Sequence, residues 1–177
     1  LAKEYHVNLV AGSVSNVREG RVFNTALVFD REGTCIASYD KTHLFTPMEE
    51  DRFYTRGSHL CRFTLDGVRC GLVICYDLRF PEIIRSLCLP GLDILFTVAQ
   101  WPRERILPLQ ILSAARAIEN QAFVVCCNSC GTAGETVYGG HSAIYSPLGE
   151  PLVLAGEGEE IVSAVCDESV LADIREK

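Results

Sequence analysis

Gly71-Leu72-Val73-Ile74-Cys75-Tyr76-Asp77-Leu78-Arg79-Phe80-Pro81-Glu82 passes from an apolar strand into a helix around one cysteine. Leu72 to Ile74 is an apolar run of the kind that forms a strand buried on both faces. The run stops at Cys75. From Pro81 onward, Ile83, Ile84, Leu87 and Cys88 recur at helical spacing. A cysteine at such a strand-to-helix turn meets free backbone N–H groups and the positive end of a helix dipole. Both lower a thiol pKa and favour a bound oxyanion, so Cys75 is a candidate nucleophile. The competing reading is a buried small hydrophobe, which is what most intracellular cysteines are.

Downstream, Pro90-Gly91 ends the helix, and residues 94–98 form a second apolar strand closed by Gln100-Trp101-Pro102. Residues 107–119 show helical spacing, 123–127 read as a buried strand, and 131–140 as a glycine-rich loop. Strands at 142–145 and 152–154 flank Pro147-Leu148-Gly149-Glu150; 161–166 read as a last strand before a helix from Glu168. Upstream, 63–65 and 68–74 form a hairpin about Asp66-Gly67. Residues 46–57, with Pro47 and three consecutive acids, lack periodicity and read as a long loop. Strands at 22–29 and 35–39 pair across Asp30-Arg31-Glu32-Gly33, behind a strand at 7–13 and the last turns of a helix at 1–6. Helices alternate with buried strands in one half and hairpins fill the other, which predicts α/β layers with a large, partly antiparallel sheet. Strands buried on both faces need helices on one side and a second sheet on the other.

The 177 residues make one domain, with 48% hydrophobic and 22% charged residues as in a soluble globular protein. A net charge of −7 with no basic cluster argues against nucleic acid, and no apolar run has the length of a membrane span. Nine cysteines, several inside apolar runs, fit reduced thiols in a cytoplasmic protein better than a disulfide frame. Cys127 and Cys130 have zinc-pair spacing without a second pair, which is a weak metal signal.

Three strand ends carry reactive or polar groups: Lys41, Cys75 and the Gln100-Trp101 turn. Ends of strands in open α/β sheets are where sites form. A lysine after a strand is ordinarily solvated, and Glu49 or Glu50 follows it in the loop. With these residues together, the chain resembles the carbon–nitrogen hydrolase (nitrilase) superfamily, and within it the omega-amidase-type hydrolases. The matching pieces are Asn24-Thr25-Ala26, Asp40-Lys41-Thr42-His43-Leu44-Phe45, the stretch from Ile74 to Glu82, Gln100-Trp101-Pro102, Ala115-Arg116-Ala117-Ile118-Glu119-Asn120-Gln121, Gly140-His141-Ser142 and Pro147-Leu148-Gly149, in family order.

The resemblance implies a four-layer αββα sandwich and cofactor-free, metal-free hydrolysis of a small amide through a cysteine thioester. The implied substrate is the ω-amide of a short dicarboxylic acid. Cys75 takes the nucleophile position and Lys41 the lysine position; a loop glutamate falls on Glu50, counting back from Tyr54 and Gly57, with Glu49 second. Lys41 and the Tyr76 backbone N–H would stabilise the oxyanion, Glu50 would position Lys41 or the substrate amide, and Gln100 and Trp101 would bind substrate. Arg79, Arg116 and Glu119 are expected as ion pairs behind the site. A homodimer or larger assembly is implied, with the helix after Cys75 contributing. The family's general base is a glutamate in an upstream Pro-Glu turn, whereas the one Pro-Glu here, Pro81-Glu82, follows the nucleophile. The chain is thus expected to lack an N-terminal strand–helix–strand unit and a C-terminal tail, and to be inactive alone. Other readings stay open: a relative acting on deaminated glutathione, an N-carbamoyl amine or a nitrile; a scaffold without the base; or a zinc or redox protein built on Cys127 and Cys130.

Overall fold

The computed structural model describes residues 1–176. A short helix, α1 (Ala2–Tyr5), precedes a three-stranded meander of β1 (Leu9–Arg18), β2 (Arg21–Phe29) and β3 (Cys35–Asp40). After a one-turn helix α2 (Glu50–Phe53) come β4 (Cys61–Leu65), β5 (Val68–Ile74), helix α3 (Pro81–Cys88), β6 (Ile94–Ala99), helix α4 (Ile106–Asn120) and β7 (Phe123–Asn128). The chain continues through a hairpin, β8 (Cys130–Ala133) and β9 (Thr136–Gly139), then β10 (Ala143–Tyr145), β11 (Pro151–Leu154) and helix α5 (Glu168–Arg175).

The apolar run before Cys75 lies inside a six-stranded sheet of order β11-β10-β7-β6-β5-β4. β5 pairs antiparallel with β4 and parallel with β6, Ile74 facing Val98, and β6 in turn runs parallel to β7. Parallel neighbours require a long crossover, which α3 and α4 supply. The helical spacing seen from Pro81 is met in full: Ile83, Ile84, Leu87 and Cys88 are the buried residues of α3. They share one core with Leu72, Ile74 and Leu95 of the large sheet, and with Ala26, Val28 and Tyr39 of the meander. Each fully buried leucine or isoleucine there contributes about 1.5–3 kcal/mol of transfer free energy. The sheets touch so closely that a Cβ at Gly12 of β1 would meet Ala26 Cβ at 2.8 Å and Val98 Cγ2 at 3.0 Å. Helices on one face of the large sheet and a second sheet on its other face form the expected sandwich. At the lower edge, Asp93 binds Arg69 and Arg175, linking α5 to β6; the Arg69 hydrogen bond, with Arg175 adding to it, holds this carboxyl well below the usual range. Among the described residues, no helix is long and apolar enough to cross a membrane.

Several expectations need correction. Residues 46–57 are not a structureless loop but a 3-10 turn, Thr46–Met48, followed by α2. Elements this short cannot show a 3.6-residue period. The glycine-rich stretch after Cys130 is a hairpin, fixed by a bridge between Pro102 and Tyr138 and by Gly139 N–H donating to the Trp101 carbonyl at 3.1 Å. β1 continues to Arg18 rather than ending near Ser13. Residues 161–166 keep the alternation of a strand but pair with no strand among the described residues, leaving Ile161 100% and Val165 85% exposed. The outward apolar residues of the crossover helices lie mainly on α4 (Leu107, Ile111, Ile118), whereas most exposed positions of α3 are polar.

The 46–57 segment is tied at its far end by Gly57 N–H donating to the Lys41 carbonyl at 2.9 Å. A Cβ at Gly57 would lie 2.0 Å from the Asp40 carbonyl oxygen, so only glycine fits. Gly57→Ala should lower unfolding free energy by about 2–3 kcal/mol in urea titrations. Gly158→Ala, where a Cβ meets nothing within 4 Å, is the control and should shift it by less than about 0.5 kcal/mol.

Candidate active site

The ends of β3, β5 and β6 open on one cavity of about 280 Å³, whose lining includes Lys41, Glu50, Cys75, Arg79, Trp101 and Arg105. Cys75 begins a 3-10 turn, Cys75–Arg79, with a left-handed φ of 50°. A non-glycine residue there costs on the order of 1 kcal/mol and persists where its surroundings over-determine it. Asp77, wholly buried, supplies the constraint. Its Oδ2 accepts from the Ile74 N–H at 3.2 Å and the Tyr39 hydroxyl at 2.8 Å; its Oδ1 accepts from the His43 N–H at 2.8 Å. The His43 ring places Nδ1 2.8 Å from the same oxygen and stacks on Phe80 at 3.7 Å. Burial and the Asp77 charge raise the Tyr39 hydroxyl pKa far above its ordinary value, which keeps Tyr39 a donor. From behind, Arg116 donates to the Leu78 carbonyl at 2.9 and 3.1 Å and pairs with Glu119 at 2.9 Å, as expected of those two residues.

Lys41 is 3% exposed, and its Nζ lies 2.6 Å from Glu50 Oε2. Glu50 also accepts from the Phe45 N–H at 2.7 Å and from Asn24 Nδ2 at 2.8 Å. Burial raises the Glu50 carboxyl pKa, but these three donors together outweigh it and hold the value below its ordinary 4.5. Glu49, the second candidate, points elsewhere: it is exposed and pairs with Arg52 at 2.9 Å.

The expected low thiol pKa is overturned. Burial pushes Cys75 up, opposed by the Lys41 ammonium and by a hydrogen bond from the Gln100 backbone, with Glu50 and Asp77 adding to the rise. Desolvation outweighs the turn's dipole here. Gln100 is exposed, and its main chain is what reaches the sulfur. Trp101 is 3% exposed, its backbone N–H donating to Asn128 Oδ1 at 2.7 Å. Arg79, expected in an ion pair behind the site, instead lines the cavity with its guanidinium 5.0 Å from the Trp101 ring centroid. Tyr76 also lines the cavity. Asp77 and Asn24 were not legible as site residues, although an acid two positions after the cysteine, inside a helical first turn, was a signal for Asp77. Cys127 is exposed and Cys130 half-buried, and among the described residues no three metal-ligating side chains cluster.

A turn of this shape, on a sandwich of this topology, is that of a carbon–nitrogen hydrolase: the carbon-nitrogen hydrolase family model matches residues 1–176, and the chain belongs to that family. Among individual relatives, it is 43% identical over 175 residues to the 2-oxoglutaramate amidase of Bacillus subtilis (strain 168), covering 99% of this chain and 68% of that one. The crystal structure of XC1258 from Xanthomonas campestris, a CN-hydrolase superfamily protein with an arsenic adduct in its active site, superposes with a TM-score of 0.93 at 35% identity, over 99% of this chain and 68% of that one. A mutant amidase from Nesterenkonia sp. AN1, with acrylamide added to its active-site cysteine, gives 0.85 at 28% identity, over 99% and 69%. The chain thus spans about two thirds of the length of these relatives.

Two outcomes follow from the charges. With its pKa raised above the ordinary 9.0, the Cys75 thiol is neutral at pH 7. Its alkylation by iodoacetamide, followed by peptide mass spectrometry, should therefore accelerate about tenfold per pH unit from pH 7 to 9. Glu50 has a folded pKa below its unfolded one, so its contribution to stability is full above about pH 4.5 and is lost as pH falls through the lower folded value. Glu50→Gln leaves the Lys41 ammonium buried without a counter-charge. It should cost about 3 kcal/mol at pH 7 and flatten the acid limb of a stability-versus-pH curve.

Proposed function

We propose that the protein hydrolyses the ω-amide of a short dicarboxylic acid to ammonia and the dicarboxylate, by way of a thioester on Cys75. The observation that carries this is a cysteine at a left-handed strand-to-helix turn sharing one small cavity with a buried lysine–glutamate pair. The substrate carbon lies against Cys75 Sγ. As the thiol proton leaves, the sulfur adds to the carbonyl carbon, and the oxygen takes the negative charge beside Lys41 and the Tyr76 N–H. The nitrogen then receives a proton and departs as ammonia, and water cleaves the thioester to release the carboxylate and restore the thiol. Lys41 serves as a fixed cation because Glu50 holds it, and Glu50 in turn is spoken for by three donors.

Glu50 is the one carboxylate lining the cavity among the described residues, and three hydrogen bonds make it a poor proton acceptor. The proton shuttle is then left to the upstream glutamate that the family resemblance implies, in the part of the relatives' length that this chain does not match. In this reading residues 1–177 are the nucleophile-bearing portion of a single hydrolase domain. The 2-oxoglutaramate activity named for the Bacillus subtilis relative supports the substrate class. Pairing into a homodimer belongs to the same proposal, through the outward apolar residues of α4.

The full-length protein, given succinamate, glutaramate and 2-oxoglutaramate, should release ammonia. Cys75→Ala should abolish that release while keeping the unfolding transition within about 1 kcal/mol. Rapid quench and intact mass should reveal the acyl adduct on the unsubstituted protein. Absence of turnover on every dicarboxylic monoamide, or full turnover by Cys75→Ala, rejects the assignment.

A further inference from the structure

Among the described residues, four formally charged side chains line the cavity, and they do not balance: Lys41 and Glu50 neutralise each other, leaving the guanidiniums of Arg79 and Arg105. Among the described residues, neither of these arginines forms an ion pair with a carboxylate. Their neighbour Arg103 does, with Glu157 at 3.0 Å. Instead each lies against an aromatic face of the cavity wall, Arg105 at 5.1 Å from the Phe45 ring centroid and Arg79 at 5.0 Å from Trp101. Stacking fixes the plane of a guanidinium and leaves its N–H fork free for a planar anion. Arg105 is held where α4 begins, its own N–H donating to the Pro102 carbonyl at 3.0 Å. Phe45, under its guanidinium, donates its backbone N–H to Glu50, so Arg105 packs on the segment that positions the charged pair.

We propose that Arg105, flanked by Arg79, binds the distal carboxylate of the substrate and makes the cavity selective for anionic ω-amides over neutral amides of equal length. This rests on the amidase reading above and assigns the group that recognises the non-reacting end. The fork–carboxylate pair fixes the substrate end-on, so its length from carboxylate to amide carbon must match the distance from Arg105 to Cys75. A longer or uncharged chain loses the anchor rather than the nucleophile.

The test compares succinamate with butyramide, the neutral amide of equal backbone length, in the unsubstituted full-length protein, Arg105→Gln and Arg105→Lys. The expected result is that Arg105→Gln lowers kcat/KM for succinamate about 100-fold more than for butyramide, chiefly through KM. Arg105→Lys, which keeps the charge and loses the fork, should fall between. Equal losses on both amides, or no preference for succinamate in the unsubstituted protein, would overturn the anchor and leave the amidase reading standing. Glutarate binding to Cys75→Ala protein, by calorimetry, reads the anchor without turnover: adding Arg105→Gln should weaken it at least about tenfold. If no amide is hydrolysed yet that weakening is seen, the anchor survives and the amidase reading falls. Unchanged glutarate affinity rejects the anchor whatever the kinetics.

Discussion

One buried carboxylate, that of Asp77, ties the turn at Cys75 to the segment that carries Lys41. It accepts from the backbone N–H just before Cys75, from Tyr39 on the meander, and from the backbone N–H two residues after Lys41. Without it, the left-handed conformation at Cys75 would relax, since nothing intrinsic to cysteine favours that region. The two sheets would also lose a buried polar tie across an interface whose core is apolar and non-directional. A charge-assisted hydrogen-bond set with no solvent access is stiff, because each partner removed leaves another unsatisfied.

The electrostatics of the cavity follow from the same economy of solvent. A lysine that is nearly inaccessible stays charged only beside a counter-ion, and a buried glutamate stays ionised only when amply donated to. Each condition meets the other. The thiol has no such partner of its own, and burial therefore outweighs the lysine's pull on it. The cavity thus holds a neutral thiol next to a fixed cation. In the proposed reaction, charge develops on the oxygen only as the sulfur adds, where a preorganised ammonium acts with little reorganisation.

Much of the fold was legible because its signals are local and periodic. The two parallel strands beside Cys75 show apolar runs, and α3 shows its inward face residue by residue. Legibility fails where structure is set by distant contacts. The one-turn helix α2 is shaped by Glu50 reaching Lys41, Phe45 and the distant Asn24, contacts that no periodicity announces. The hairpin β8–β9 is placed by Pro102, far from it in sequence. Residues 161–166 carry strand alternation, but pairing takes two strands and alternation reports only one. At the site, the turn pattern alone singles out Cys75, the resemblance assigns Lys41 and Glu50 their roles, and their meeting around one cavity is a matter of topology. The thiol's pKa direction was misjudged because a turn's dipole is visible in sequence whereas desolvation is not.

The backbone at position 75 has a further meaning. Glycine adopts that conformation at no steric cost, so a chain optimised only for stability would drift toward glycine there. On the reading proposed above, cysteine stands there for its reactivity, and its conformational debt is carried by its neighbours. Under the chemistry proposed above, glycine at position 75 would keep the shape of the turn and silence its reactivity, so shape and chemistry at this turn are separable by a single residue.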